Sequence, residues 1–254
     1  MHRIELELYL SDLLDTPSYE DKCVNGLQVQ GKDTIQRIVT GVTISERLLR
    51  VAVEKKADAV IVHHGLFWKN TPHPFVLTGL YYNRIKILIN NDINLFAYHL
   101  PLDGHQLLGN SVIMAKKLGV DDITFATIEG CKNPIAVVGE FKDAMDLYTF
   151  PKYADEALDA NGMFINLNHK AVKRLFVLSG GGGAYYQDAA LASADTLVTG
   201  ELTESSVRSA EELGLNLYAS GHYNSERWGI KALGEHIAAQ FNIEVDFVDI
   251  PNPI

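Results

Sequence analysis

Two adjacent histidines, His63 and His64, close the short apolar run Ala59-Val-Ile-Val62, and Gly65 follows them. Imidazole is the commonest side-chain metal ligand and a general acid or base near neutral pH. The β-branched run reads as a buried strand, and chemistry in open α/β sheets gathers where strand C-termini meet their loops. Neighbouring side chains on a regular strand point to opposite faces, but at its end they can splay to either side of one site. That geometry suits two neighbouring metal ions, one imidazole each, better than one ion gripped by both. The plain alternative is a pair of loop histidines with no ligand. Two further segments set a histidine four residues before a carboxylate: His99-Leu-Pro-Leu-Asp103 and His222-Tyr-Asn-Ser-Glu226. A helix starting at Tyr223 or Asn224 would bring His222 and Glu226 toward one point, with the carboxylate at the positive end of the helix dipole. The alternative is a helix capped by Asn224 or Ser225, with Glu226 in an ordinary surface turn. Pro101 bars a regular helix interior, so His99–Asp103 is predicted to be a tight loop, with Asp103 a ligand or a cap. Glu201 ends another strand, and His105 and His169 read as ordinary loop histidines.

Together these groups offer imidazole and carboxylate without thiolate, a donor set that fits Zn, Mn, Fe, Ni or Co. Two such ions ~3.5–4 Å apart could share a bridging carboxylate or hydroxide. Cys23 and Cys131 are far apart, form no CxxC and have no activating neighbour, which argues against a zinc ribbon or a disulfide framework and fits a reducing cytoplasm. Gly180-Gly-Gly-Gly183 follows a strand and precedes a helix, so a phosphate cradle is conceivable. No Gly-Lys-Ser/Thr follows and no dinucleotide fingerprint is present, so a tight turn is the better reading. No Gly-x-Ser-x-Gly elbow occurs.

The elements that must position these groups alternate. Strands are predicted over 37–44, 59–62 and 94–99, with helices over 46–56 (capped by Ser45), 78–90 and 110–118. A first helix covers 2–14, and 23–29 runs from loop into strand. In the second half strands are predicted over 135–141, 174–179, 196–199, 216–220 and 244–250, with helices over 185–193, 203–213 and 225–239; residues 143–172 give a mixed pattern. This rhythm means two α/β domains with mainly parallel central sheets flanked by helices, placed at 1–128 with His63, His64 and Asp103, and at 129–254 with His222 and Glu226. The last segments could return to the first domain. An internal echo supports two related halves. Arg37-Ile-Val-Thr stands 21 residues ahead of Asp58-Ala-Val-Ile-Val-His-His64, and Arg174-Leu-Phe-Val the same distance ahead of Asp195-Thr-Leu-Val-Thr-Gly-Glu201. In each half the next strand ends near a histidine, His99 or His222. Chance similarity of βαβ units is the alternative.

The 254 residues carry a net charge of −10 from 22 basic and 32 acidic side chains. Such a balance lacks the basic surface that a general nucleic-acid groove needs, though it leaves room for single strands at a local pocket. No apolar run approaches the ~20 residues of a membrane span. The N-terminal segment, with Glu5, Glu7 and Asp12, reads as an amphipathic helix and not a signal peptide.

His63-His-Gly-Leu-Phe-Trp68, Tyr98-His-Leu-Pro-Leu-Asp103 and Gly221-His-Tyr-Asn-Ser-Glu226, preceded by Asn25-Gly-Leu-Gln28, resemble the motifs of the NGG-one-interacting-factor-three-like family, in the same order and over nearly the whole chain. The likeness is to its bacterial YbgI-like branch, commonly labelled GTP cyclohydrolase 1 type 2 homologue. The resemblance implies a dinuclear metal site between two α/β domains, in a homohexameric toroid whose metals face the cavity. The implied ligands are His63, His64, Asp103, His222 and Glu226, with His99 at or beside the metals. Its functional implication is a cytoplasmic metal-dependent hydrolase of a nucleotide or related small molecule, GTP cyclohydrolase-like, with Glu226 and His99 taking part in the chemistry and His99 shuttling a proton. The alternative, which the family's name implies, is a non-catalytic metal-binding regulator or adaptor.

Overall fold

The structure is a computed structural model and describes residues 1–71 and 76–254. Its helices are α1 (Arg3–Leu13), α2 (Glu46–Glu54), α3 (Gly79–Asn90), α4 (Leu100–Asp103), α5 (Asn110–Lys117), α6 (Phe150–Leu158), α7 (Tyr186–Leu191), α8 (Glu204–Leu213) and α9 (His222–Phe241). The strands of the first half are β1 (Gly26–Val29), β2 (Arg37–Thr43), β3 (Ala59–His64) and β4 (Asn94–Ala97). Those that follow are β5 (Asp121–Ala126), β6 (Ala136–Met145), β7 (Met163–Ile165), β8 (Val172–Leu178), β9 (Thr196–Thr199), β10 (Asn216–Ala219) and β11 (Glu244–Phe247). Two compact units result, Met1–Leu102 with Gly229–Ile250, and Asp103–Trp228 with Pro251–Ile254.

The first unit is built on a five-stranded sheet of order β1-β4-β3-β2-β11. β11, β2, β3 and β4 run parallel, and β1 closes one edge antiparallel to β4. Val60 and Val62 of β3 bury one face of the sheet against Leu48, Leu49 and Ala52 of α2 and Leu88 of α3. Burying each of those leucines stabilises the unit by about 1.5–3 kcal/mol. Ser45 caps α2 as its sequence position predicts, its Oγ accepting from Leu48 N at 3.2 Å.

The second unit holds a six-stranded sheet of order β5-β6-β8-β9-β10-β7. Here the expectation of a mainly parallel sheet is corrected. β8, β9 and β10 run parallel, but β5 with β6, β6 with β8 and β10 with β7 pair antiparallel. The ten-residue β6 returns directly against β5 and leaves no helical crossover between them. Val177, Val198 and Tyr218 form its core with Met114 of α5 and Phe150 of α6.

Each sheet contains the same four-strand pattern, β1-β4-β3-β2 in one and β7-β10-β9-β8 in the other, with the first strand antiparallel in both. The internal echo is therefore structural: Ile38 pairs with Ala59 and Leu175 with Thr196, the same sequence offset in each half.

Three boundaries differ from expectation. The division falls after Leu102, so Asp103 belongs to the second unit and not to the first domain. His99–Asp103 contains a one-turn helix in place of a tight loop; Pro101 is tolerated because the first-turn N–H groups have no intrahelical partner to lose. α9 begins at His222, three residues before the predicted start. Among the described residues no helix is long and apolar enough to cross a membrane.

Candidate metal centre

In the first unit, parallel pairing of β3 with β4 ends at Val62 and Ala97, and pairing with β2 ends at His64. Beyond that point alternation relaxes, and the rings of His63 and His64 come within 4.8 Å of each other, centroid to centroid. His99, just past β4, brings its ring to 5.0 Å from His63 and 5.6 Å from His64. One ring nitrogen from each of the three lies within 4.8 Å of the others, close enough to meet at a cation.

The Nδ1 atoms are engaged elsewhere. That of His63 donates to the Tyr98 carbonyl at 2.9 Å, and that of His64 lies 3.0 Å from the Thr43 hydroxyl. His99 Nδ1 donates to Asp21, at 3.0 Å and 3.2 Å from its two oxygens. The carbonyl and the carboxylate can only accept, so they fix the tautomers of His63 and His99 and leave Nε2 for a cation, and the Thr43 hydroxyl is able to accept from His64 in the same way. Asp21 is buried and also accepts from Cys23 N, Leu100 N and the Asn25 amide. Burial alone would raise its pKa; the hydrogen bond and charge of His99, with the other donors, outweigh it and hold the carboxyl well below the usual range. Cys23 is the opposite case: burial and the Asp21 charge push its thiol up to about 12, so it is an inert core residue.

The segment after the histidine pair is fastened by Gln28. Its Oε1 accepts from Leu66 N (2.7 Å) and Phe67 N (3.2 Å), and its Nε2 donates to the carbonyls of Val24 (2.7 Å) and Phe67 (3.2 Å). A Cβ on Gly65 would fall 2.4 Å from Gln28 Oε1, which is why the backbone here must be glycine. Asn25 Oδ1 accepts from His99 N at 2.8 Å. The Asn25-Gly-Leu-Gln28 motif thus holds the ends of β3 and β4 in place.

In the second unit, α9 starts directly after the β10 strand end, and its first turn sets His222 Nε2 3.0 Å from Glu226 Oε2. His222 Nδ1 donates to Glu201 Oε1 at 2.7 Å, the counterpart of the His99–Asp21 pair. The Glu226 hydrogen bond, against the opposing effect of burial, and then the Glu226 and Glu201 charges raise the His222 pKa to about 9. An incoming cation must therefore displace a proton there. Glu226 is buried, and the turn after β8 makes room for it: a Cβ on Gly180 would sit 2.3 Å from Glu226 Oε1. Gly183 N donates to the Glu201 carbonyl at 3.2 Å, so the glycine run is a packed turn spending its donor within the chain. Asp103, also buried, has Oδ1 held by the Asn110 amide at 2.8 Å, with the Ser179 hydroxyl at 3.5 Å.

The structure therefore gathers His63, His64 and His99 in the first unit, and His222 and Glu226 in the second, with Asp103 in that second unit. The donor chemistry fits a divalent metal: oriented imidazoles and buried carboxylates, with no thiolate among them. Sequence reasoning missed Asp21, and it set Glu201 aside as merely a strand end. His105 is an ordinary loop histidine, its Nδ1 accepting from Leu107 N and Leu108 N.

These features define a mixed α/β protein with two helix-flanked sheets and a His/Glu cluster able to bind a metal ion. Residues 1–253 match the model of the Duf34/NIF3 (NGG1p interacting factor 3) family, and the chain belongs to that family. It is 42% identical, over the whole of both chains, to a Yersinia pestis protein named GTP cyclohydrolase 1 type 2 homolog. Among solved structures it is similar to protein ybgI, described as of unknown function, at 40% identity, full coverage of both chains and a TM-score of 0.92. TTHA1606 from Thermus thermophilus is similar at 33% identity, again over both whole chains, with a TM-score of 0.87.

Proposed function

We propose that the histidines of the first unit and His222, Glu226 and Asp103 of the second serve one centre for two divalent ions, in a metal-dependent hydrolase of a nucleotide or related small molecule. The observation that carries this reading is the Nδ1 contact of all four histidines, His63, His64, His99 and His222, each with an oxygen partner. Charge supports joining the halves. Three neutral imidazoles offset none of the charge of two divalent ions, whereas the carboxylates of Glu226 and Asp103 offset part of it. Bound divalent ions supply Lewis acidity and lower the pKa of water toward neutrality.

The chain's own residues supply orientation and proton handling. Asp21 keeps His99 in one tautomer, suiting it either to ligate or to carry a proton from water to a leaving nitrogen. Glu226, buried beside Gly180, would help hold the metal. The relatives' name points to purine chemistry: water adds at C8 of guanine, the imidazole ring opens, and a second water releases formate. Acidic net charge leaves general nucleic-acid binding unsupported, so the substrate is read as a small molecule, with single strands the other class that the site could admit. Family membership supports a cytoplasmic homohexameric ring.

The deciding experiment is multiple-turnover formate release from GTP, within a nucleotide panel, by protein loaded with Zn, Mn, Fe, Ni or Co. Activity that is lost on chelation and restored by metal supports the hydrolase. Stoichiometric metal without turnover on any nucleotide leaves the regulatory or adaptor role. Failure to bind any of the five metals removes the centre itself. Light scattering at micromolar concentration should give about six times the chain mass; a monomer mass in low and moderate salt removes the ring.

A further inference from the structure

We propose that a cleft in the second unit, on the far side of Glu201 from His222, binds a compact ligand rich in N–H donors and free of phosphate, and that this ligand reaches His222 through Glu201. The link to His222 rests on the reading of that residue as a metal ligand; the cleft itself does not.

The cleft has a volume of about 530 Å³ and is bordered by Glu201, Asn161, Met163, Asn224, Asn252 and Pro253 among others. That volume lies within the range of small-molecule sites, roughly 300–1,000 Å³, and admits a one- or two-ring heterocycle. Its chemistry is selective. Among the described residues Glu201 is the only ionisable side chain on the wall, and no lysine, arginine or histidine lines it. A phosphate or carboxylate would meet the like charge of Glu201, whose counter-charge, His222, is already shared with Glu226. The three asparagine amides carry donors and acceptors, of which Asn224 Nδ2 also donates to the Ser220 carbonyl and Asn252 Oδ1 also accepts from Ile254 N, while Met163 and Pro253 are among the apolar side chains of the wall. A carboxylate has about four lone-pair sites. Glu201 can therefore hold His222 Nδ1 and accept from a ligand at the same time.

Comparison of the two halves shows that this opening is particular to the second. Asp21 and Glu201 do the same work, each accepting from a histidine Nδ1. The Asp21 side chain is 2% exposed and enclosed by three other donors, whereas that of Glu201 is 43% exposed and lies on the cleft. A ligand N–H on Glu201 draws on the same carboxylate charge as the His222 Nδ1–H, which weakens that bond and loosens the ring. Outer partners of this kind alter metal affinity by about 10–100-fold when lost, and by linkage the metal must weaken the ligand by the same factor that the ligand weakens the metal.

The test is calorimetric titration of the full chain with 2,6-diaminopyrimidin-4-one, with and without zinc, and with its fully N-methylated analogue as a donor-free control. The expected result is sub-millimolar binding of the diamino compound and at least about tenfold weaker binding of the methylated one. Met163→Trp, at a surface position on β7 that is 62% exposed, should fill the cleft. It should weaken the probe by about tenfold or more while leaving zinc affinity unchanged. Zinc loading should weaken the probe, and the probe zinc, by one common factor. Equal probe affinity in wild type and Met163→Trp, equal affinity for the methylated analogue, or no binding would overturn the site. Binding in the cleft that zinc leaves untouched would overturn the connection to His222. If the chain binds no metal, the methylated probe and Met163→Trp still decide the cleft; if zinc binds and the probe does not, the cleft alone fails.

Discussion

Gly180→Ala should uncouple the metal site from the fold, and Gly214→Ala is its control. Both glycines sit in the left-handed region, at φ +62° and +65°. A Cβ at Gly214 meets nothing within 4 Å, so that substitution measures the backbone cost alone. The cost is about 1–2 kcal/mol, which in a chain of this length lowers Tm by roughly 2–8 °C. At Gly180 the same cost recurs, but the Cβ also lies 2.3 Å from Glu226 Oε1 and 3.2 Å from His222 Nε2. Ordinary contact begins near 3.4 Å, so the carboxylate must retreat by about 1 Å. Glu226 is buried, and the Gly180 N–H to Ser225 Oγ bond at 2.8 Å resists movement of the turn. Displacing a ligand of this kind should lower metal affinity by at least the 10–100-fold typical of losing a supporting contact. Zinc titration against a chromophoric chelator, beside thermal unfolding of both variants, reads the two effects separately. Zinc affinity in Gly180→Ala equal to wild type, with the Tm loss of Gly214→Ala, would refute the placing of Glu226 in the centre.

Glu226→Gln should lower metal occupancy, measured by elemental analysis, more than Glu201→Gln, because the amide oxygen of the latter variant could still accept from His222 Nδ1; equal losses would mean the wrong carboxylate was chosen. Tyr98→Phe should leave Tm unchanged or raise it, since the Tyr98 hydroxyl is buried with no hydrogen-bond partner among the described residues. Tyr218→Phe removes a 2.6 Å bond to Asp155 and should cost about 1.5–3 kcal/mol in denaturant unfolding; the reverse order would contradict both assignments. Asp58 resists the raising effect of burial because the Lys32 hydrogen bond, two backbone N–H groups and the Lys32 charge hold its pKa below the ordinary value. Its contribution is therefore complete above about pH 4 and fades as pH falls through the depressed folded value. The stability gap between wild type and Asp58→Asn should narrow in acid, and a gap constant from pH 7 to pH 3 would exclude this titration.

Most elements were legible because their signals are local. β3 is an apolar run, and α2 joins the Ser45 cap to Leu48, Leu49 and Ala52 on one face. His63, His64, His99, His222 and Glu226 were legible as strand-end groups. What stayed hidden depends on distance in sequence. Asp21 supports a histidine 78 residues away and has no spacing to announce it. Glu201 was visible, but its role appears only when β9 and β10 lie side by side and set it against His222. The antiparallel returns of β5 and β7 escaped because short strands of either sense share one apolar pattern. Asp103 was assigned to the wrong unit because the boundary falls inside α4, where nothing in composition changes.

The two halves share their scaffold and differ at its ends. Asp58 and Asp195 each take two backbone N–H groups from the start of the preceding parallel strand, Gln36 and Arg37 in one half, Lys173 and Arg174 in the other. Their carbonyls accept from Asn94 N and Asn216 N, which begin the next strand. Both asparagines are buried, and each uses Oδ1 to hold a neighbouring chain segment, at Gly31 or at Leu167 and Asn168. These contacts fix strand register at the N-terminal edge of each sheet, far along the strands from the metal donors. The opposite edge is then free to vary without loss of register. There one half carries His63 and His64 where the other carries Gly200 and Glu201, while a histidine with a carboxylate behind it follows the third strand in both. The shared βαβ scaffold thus accounts for a histidine after the third strand in each half, whereas the carboxylate behind it comes from non-equivalent places, Asp21 ahead of β1 and Glu201 just past β9; the difference at the strand ends gives an imidazole-rich set and a carboxylate-bearing one. The first set offers imidazole, and the second adds the carboxylates of Glu226 and Asp103, so the two-ion centre proposed above draws on both.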